Sequence, residues 1–101
     1  MTEPLLLVDD ADGIRTLRVN RPDKLNALNA AILAALDAAF AAAAADDTVR
    51  VVVLTGAGPK AFVAGADIAE MNALTPVQGR DFSLRGTRMM RRVERLPKPV
   101  I

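Results

Sequence analysis

Two short runs with β-strand character open the chain, and a turn signal separates them. The first, Leu5 to Val8, is apolar and is followed by acidic residues that we expect to end the strand. The second, Ile14 to Val19, is rich in β-forming residues with charges interleaved, which is typical of a strand with one solvated face. Asp12 and Gly13 lie between them, and such a pair favours a tight hairpin. The pattern therefore predicts a β-hairpin, and Pro22 should end its second strand.

A helical repeat follows the hairpin. Its apolar positions recur at spacings typical of one helix face, namely Leu28, Ile32, Leu33, Leu36 and Phe40. Asn29 stands where an N-cap is needed, and alanines fill the opposite face, favouring helix without requiring burial. The continuous apolar run 51–54 then indicates a strand covered on both faces.

The last third of the chain predicts a loop and a second long helix. Residues 57–66 are mostly small, and a helix should follow from Pro76 to Leu96. Thr75 and Gln78 have capping-box spacing, and Pro76 suits the first helical position. One helix face carries Phe82, Gly86, Met89 and Val93, and the other carries Arg88, Arg91 and Arg95.

Prolines at 97 and 99 should end this helix, and Val100 and Ile101 predict the first residues of a further strand. The order is β-β-α-β-loop-α, followed by that strand. It predicts an α/β layer whose remaining strands are absent from these 101 residues.

Composition narrows the chemistry. The 101 residues include no cysteine and no histidine, so a reaction must use carboxylates, lysine or backbone groups. The net charge is +1, and we therefore expect neither nucleic acid nor an anionic membrane as a partner. The arginines between 80 and 95 could form a phosphate- or nucleic-acid-binding patch, but the lack of interleaved aromatics favours a solvated helix face. No secretory signal or membrane span is expected, which favours the cytoplasm.

The stretch from Lys60 to Ile68 is the best candidate for a site. It follows a buried strand and precedes a helical turn, a position that exposes backbone N–H groups to a ligand. Gly65 allows close approach, and Ala64 and Ala66 keep the surface small. Such N–H groups can donate to a developing oxyanion. By spacing alone, a plain strand-to-helix connection is the favoured explanation of the stretch.

Three segments together carry a resemblance to a known family. They are Asn-Arg-Pro-Asp-Lys-Leu-Asn-Ala-Leu-Asn at 20–29, Val-Val-Leu-Thr-Gly at 52–56 with Lys-Ala-Phe-Val-Ala-Gly-Ala-Asp-Ile at 60–68, and Leu-Pro-Lys-Pro-Val-Ile at 96–101. In this order and spacing the chain resembles the crotonase (enoyl-CoA hydratase/isomerase) superfamily over nearly its whole length. The resemblance implies the N-terminal part of a crotonase-like ββα spiral fold, so that residues 1–101 would be a partial domain.

The resemblance also implies site residues. The backbone N–H of Ala66 matches one of two donors that bind the thioester oxygen of an acyl-CoA substrate. The turn from Asp23 to Leu28 matches a segment beside the coenzyme, in which Lys24 could reach a phosphate; a solvated lysine is the simpler alternative. The implied substrate- and CoA-binding residues are Lys24, Ala27, Leu28, Ala64, Gly65, Ala66, Asp67 and Ile68.

The family pattern continues beyond this sequence. Its second oxyanion donor and its catalytic glutamates follow the segment matched by 96–101, and none of them is present. Asp67 and Glu70 are the carboxylates near the loop, and we expect them to be cap or surface residues in a first helical turn.

The resemblance favours an enoyl-CoA hydratase, which adds water reversibly to a trans-2-enoyl-CoA in fatty-acid-type metabolism. Another reaction of the superfamily, such as enoyl-CoA isomerisation, or a non-catalytic truncated product remains open. Coenzyme A would be part of the substrate, so neither a cofactor nor a metal is expected. A homo-trimer or homo-hexamer is expected of the complete protein.

Overall fold

The N-terminal hairpin is the first element of the fold. The computed structural model describes residues 3–101, in which strands β1 (Leu6–Ala11) and β2 (Ile14–Val19) pair antiparallel. Asp12 and Gly13 connect them with positive φ angles of 55° and 80°, as a type I′ turn requires. The predicted hairpin is confirmed, but the expected end of β1 at the acidic residues is wrong. Those residues stay in the strand because all six positions of β1 pair with β2.

The third strand lies parallel to the second. Strand β3 (Val51–Gly56) gives the sheet order β1-β2-β3, and helix α1 (Ala30–Ala45) forms the crossover between β2 and β3. Residues 99–101 pair along the free edge of β3, with the N–H of Ile101 donating to the Val52 carbonyl at 2.9 Å. The predicted start of a further strand is thus confirmed. In the part of the chain that the structure describes, only Val52 of the run 51–54 is fully buried.

The helices begin where the sequence predicts. The side chain of Asn29 accepts the N–H of Ile32 at the start of α1. After a short helix α2 (Ile68–Asn72), helix α3 (Pro76–Glu94) begins with the complete capping box of Thr75 and Gln78. It ends two residues before the predicted Leu96.

Helix α1 contacts both the sheet and α3, and the core forms around it. The predicted face of α1 supplies Ile32, Leu33, Leu36 and Phe40, while the arginines of α3 are exposed as expected. The buried apolar core consists of Leu17, Val19, Ile32, Leu33, Leu36, Phe40, Ala43, Val49, Val52 and Met89. Within residues 3–101, no helix is long and apolar enough to cross a membrane.

Candidate functional site

The site forms where the turn before α1 meets the loop before α2. Leu28 and Ala66 form an isolated parallel bridge, in which the N–H of Leu28 donates to the Gly65 carbonyl at 2.7 Å. The N–H of Asp67 donates in turn to the Leu28 carbonyl at 2.8 Å. Because Leu28 uses the groups on either side of Ala66, the N–H of Ala66 points away from the bridge. Among residues 3–101, that N–H has no hydrogen-bond acceptor.

A second backbone hydrogen bond and the conformation of Gly65 hold the turn before α1 against the loop before α2. The N–H of Ala64 donates to the Leu25 carbonyl at 3.0 Å, next to the bridge. Gly65 has a φ of +133°, which side-chain-bearing residues rarely adopt, although a Cβ there would meet no atom within 4 Å. Glycine is therefore required at position 65 by its backbone conformation rather than by local crowding from the protein.

The buried side chain of Asn26 connects the two segments by hydrogen bonds. It is fully buried, and its amide nitrogen donates to the carbonyls of Ala57 and Ala61, both at 2.9 Å. Its amide oxygen accepts the N–H of Arg21 at 2.9 Å. Gly56 makes room for this contact, since a Cβ there would lie 2.7 Å from the Asn26 amide nitrogen and 2.1 Å from the Phe62 carbonyl oxygen.

This role of Asn26 was not predicted from the sequence. The two carbonyls that its amide nitrogen reaches lie 31 and 35 residues away, so no local sequence pattern predicts these contacts. The usable signal is an asparagine inside a turn, where its φ of +57° is better tolerated than in most residues.

An ion pair and a second carboxylate brace the same junction. Arg21 and Asp67 form a 2.7 Å salt bridge, and both side chains are largely buried. Asp67 also caps α2 by accepting the N–H of Glu70, and Glu70 accepts the N–H of Ala30 at the start of α1. The Glu70 N–H and then the Arg21 guanidinium lower the pKa of Asp67. We expected both carboxylates to be cap or surface residues in a first helical turn. This is confirmed for Asp67, the N-cap of α2, whereas Glu70 lies in the first turn of α2 but is half-buried and bonds to α1.

An open cleft of about 440 Å³ lies against Ala66. Its size is within the range of small-molecule sites, and most of its lining is apolar. The cleft runs from Ala66 along α3 and is lined by Leu28, Leu33, Ala66, Phe82, Ser83, Gly86, Thr87, Met90, Arg91 and Glu94. Ala66, whose N–H has no acceptor among residues 3–101, is thus one of the residues that line an apolar cleft.

The structure brings only part of the predicted set to this cleft. Leu28 and Ala66 line it, and Ala64 and Gly65 are exposed beside Ala66. The other predicted residues are outside its lining: Lys24 is exposed in the 3-10 helix Pro22–Lys24, Ala27 is half-buried, Asp67 binds Arg21, and Ile68 is 72% exposed. No group of three potential metal ligands occurs within residues 3–101.

The sequence of the chain is similar to those of known enzymes. The model of the family described as enoyl-CoA hydratase/isomerase matches residues 9–101. The short-chain-enoyl-CoA hydratase of Clostridium acetobutylicum is 42% identical over 96 residues, which is 95% of this chain and 37% of that protein. The crotonyl-CoA hydratase of Syntrophomonas wolfei is 38% identical with the same coverage, so the chain spans about 37% of the length of these relatives.

Solved structures give the same result. An enoyl-CoA hydratase from Bacillus anthracis superposes with a TM-score of 0.92 at 36% identity, over 96% of this chain and 38% of that one. An enoyl-CoA hydratase from Mycobacterium smegmatis gives a TM-score of 0.91 at 48% identity, over 97% of this chain and 38% of that one. The predicted fold, the N-terminal portion of a crotonase-like α/β fold, is confirmed.

Proposed function

The chain belongs to the enoyl-CoA hydratase/isomerase family, and from that premise we propose that the complete protein hydrates trans-2-enoyl-CoA thioesters to 3-hydroxyacyl-CoA thioesters. The observation that carries the proposal is the N–H of Ala66, which lacks an acceptor among residues 3–101 and belongs to a residue lining the apolar cleft. Relatives named as hydratases at 42% and 38% identity support it.

The chemistry explains why a backbone donor is needed. When water adds to C3 of the enoyl group, negative charge moves onto the thioester oxygen as an enolate forms. The N–H of Ala66 would donate to that oxygen, and the bridge to Leu28 holds it in place before the substrate arrives. A donor fixed in advance stabilises the developing charge without reorganising during the reaction. The residues that add and remove protons, and the second oxyanion donor, would come from other parts of the protein.

We also propose where coenzyme A would bind, in which compartment the protein acts and how it assembles. The turn from Asp23 to Leu28 would run beside coenzyme A, and Lys24, which is exposed, could reach one of its phosphates. Ala27, Ala64, Gly65, Asp67 and Ile68 complete the proposed contact set. Coenzyme A arrives with the substrate, so the proposal needs no cofactor. We further propose a cytoplasmic homo-trimer or homo-hexamer acting in fatty-acid-type metabolism.

An amide-to-ester replacement at Ala66 in the complete protein tests the central claim. The ester removes the N–H donor and retains the shape of the loop. Losing one oxyanion donor typically lowers turnover by about 10²–10³-fold. We expect a loss of that size in kcat with crotonyl-CoA, with the affinity for the coenzyme largely retained.

Ala66→Ser is the matched control, because it keeps the N–H and adds one small group. Its turnover should stay close to that of the unsubstituted enzyme. Full turnover in the ester variant would show that Ala66 is not a donor, and the loop would then be a plain strand-to-helix connection.

A second reaction has one specific observation in its favour. The 1,2-epoxyphenylacetyl-CoA isomerase of Escherichia coli is 38% identical over 93 residues, which is 88% of this chain and 35% of that protein. An isomerase would use the same oxyanion donor on a CoA thioester. Incubating the complete protein with crotonyl-CoA and with 1,2-epoxyphenylacetyl-CoA separates the two reactions, because a hydratase forms 3-hydroxybutanoyl-CoA from crotonyl-CoA and an isomerase of this kind rearranges the epoxide.

A further inference from the structure

Helix α3 presents two parallel rows of side chains to the cleft. Phe82, Gly86 and Met90 recur at intervals of four residues and therefore follow one another along one row. The neighbouring row is polar and consists of Ser83, Thr87 and Arg91. An apolar ligand lying along the helix would contact the first row and leave the second to the solvent.

Gly86 leaves a notch in the apolar row. Large side chains stand one turn before and one turn after it, and its nearest neighbour from another element is Leu33 of α1. A Cβ built on Gly86 would lie 3.9 Å from the Leu33 Cδ1 atom, an ordinary van der Waals distance. Gly86 lines the cleft, and Leu33 is the side chain that comes within 4 Å of its Cβ position among residues 3–101.

We propose that Gly86 determines the length of the acyl chain that the cleft accepts, an inference that rests on the proposed function above. A thioester carbonyl bound at Ala66 would direct its acyl chain into the cleft that Ala66 and Gly86 both line. The chain would pass Phe82, cross the notch and continue toward Met90. A side chain at position 86 would fill the notch and obstruct chains long enough to reach it.

Close helix packing does not account for glycine at this position. Alanine would fit against Leu33 without displacing it, and glycine inside a helix is less favourable than alanine by about 1 kcal/mol. Gly79 supplies the comparison. It is in the same helix, a Cβ there would meet no atom within 4 Å, and it does not line the cleft.

The test measures the affinity of the complete enzyme for butanoyl-CoA and decanoyl-CoA, which need no turnover. Gly86→Ala and Gly86→Leu are compared with Gly79→Ala and Gly79→Leu. A pocket discriminates one methylene by about 10–200-fold, so Gly86→Leu should weaken decanoyl-CoA relative to butanoyl-CoA by about tenfold or more. Gly86→Ala should act in the same direction with a smaller change, and both Gly79 variants should keep the original ratio.

The inference would be overturned if the ratio of the affinities for decanoyl-CoA and butanoyl-CoA stayed unchanged in both Gly86 variants, including the case in which both ligands bind equally more weakly. Such a result would mean that the acyl chain takes another path or that another part of the protein fills the cleft. Gly86→Ala keeps the test valid if the leucine variant does not fold. Hydration of crotonyl-CoA by the unsubstituted enzyme is measured in parallel. Acyl-CoA binding with no hydration would refute the proposed function and leave the chain-length result interpretable.

Discussion

Single polar residues hold the site together, although none of them is expected to touch the reacting atoms. Asn26 links the turn after β2 to the loop after β3, and the Arg21–Asp67 pair joins the same turn to the start of α2. Ala66 lies immediately before Asp67, so these contacts decide where its N–H points. The position of a backbone donor thus depends on side chains from another segment of the chain.

Replacing Asn26 with alanine should be strongly destabilising. The change leaves the carbonyls of Ala57 and Ala61 and the N–H of Arg21 without their partner, in a place where the side chain is fully buried. Unsatisfied buried groups cost about 1–3 kcal/mol each, and partial relaxation gives an expected loss of about 3 kcal/mol in the free energy of unfolding. Urea denaturation of the complete protein measures it.

Asn29→Ala is the matched control for this change. The side chain of Asn29 accepts a single hydrogen bond as the N-cap of α1, and such a cap contributes about 1 kcal/mol. The Asn26 variant should therefore lose clearly more stability than the Asn29 variant. Equal losses would mean that the buried amide contributes no more than an ordinary helix cap.

Asp67 should make stability depend on pH in acid. Hydrogen bonds from the Glu70 N–H and from Arg21 hold its pKa below the ordinary value of 3.8. A carboxyl with a lowered pKa stabilises the fold above its unfolded pKa, and this contribution is lost as the pH falls through the folded pKa. Asp67→Asn removes the titration but keeps an oxygen that can cap α2. Below about pH 4 the variant should therefore lose stability less steeply with falling pH.

Asp67→Ala separates the cap from the ion pair. It should show the same shallower acid dependence as the asparagine variant but lower stability at pH 7, because it also loses the cap. Asp10 and Asp46 have pKa values lowered by hydrogen bonds to Arg15 and Thr48, and they contribute equally in all three proteins. An unchanged acid slope in Asp67→Asn would contradict the assignment.

At the scale of the elements, local signals predict the helices well and the strands less well. The starts of α1 and α3 follow from capping residues within three positions of each other in the sequence, namely Asn29 with Ile32 and Thr75 with Gln78. The end of β1 could not be predicted in this way. Its acidic residues disfavour a strand on their own, yet pairing with β2 and the ion pair of Asp10 with Arg15 keep them extended.

The same distinction applies to the site. The small-residue loop could be predicted from the sequence, because glycine and alanine between a strand and a helix indicate by themselves a backbone that a ligand can approach closely. The support from Asn26 and the notch at Gly86 depend on contacts between distant segments, which only the folded chain supplies. Of the predicted contact residues, Leu28 and Ala66 line the cleft, and a role for Lys24 stays a prediction.

The end of α1 gives an element-scale prediction. The last turn of α1 contains no basic residue, and the ammonium group of Lys98 donates instead to the carbonyls of Ala43 and Asp46, both at 2.7 Å. Lys98→Met keeps the apolar stem and removes both charge-assisted bonds. We expect a loss of about 2 kcal/mol in the free energy of unfolding of the complete protein, measured by urea denaturation.

Lys60→Met is the control, because Lys60 is exposed and, within residues 3–101, makes no hydrogen bond or salt bridge. It should change stability by less than about 0.5 kcal/mol. If both lysine variants lose the same amount, the capping of α1 from the segment after α3 contributes nothing measurable.

At the scale of the molecule, much apolar surface is exposed to solvent. Phe62 is 56% exposed, Val77 is 70% exposed and Met90 is 57% exposed, in the loop and the helix that follow β3. Beyond residues 99–101, the described chain provides no further partner for the edge of β3. Apolar surface and an open sheet edge of this kind favour association between molecules.

The 101-residue chain produced by itself should therefore be marginally stable and prone to self-association. We expect it to bind the dye ANS, to sediment as a mixture of species and to unfold without a sharp transition. The complete protein should bind no ANS, sediment as one species and unfold in a sharp transition.

The isolated chain should also fail to hydrate crotonyl-CoA, because one oxyanion donor cannot replace acid–base catalysis worth about 10²–10⁴-fold. Val77→Glu in the isolated chain should reduce association without restoring activity, since it changes only the exposed surface. A monodisperse monomer with a cooperative thermal transition would contradict the stability prediction, and turnover by the purified chain would direct attention to Asp67 and Glu70 as acid–base groups.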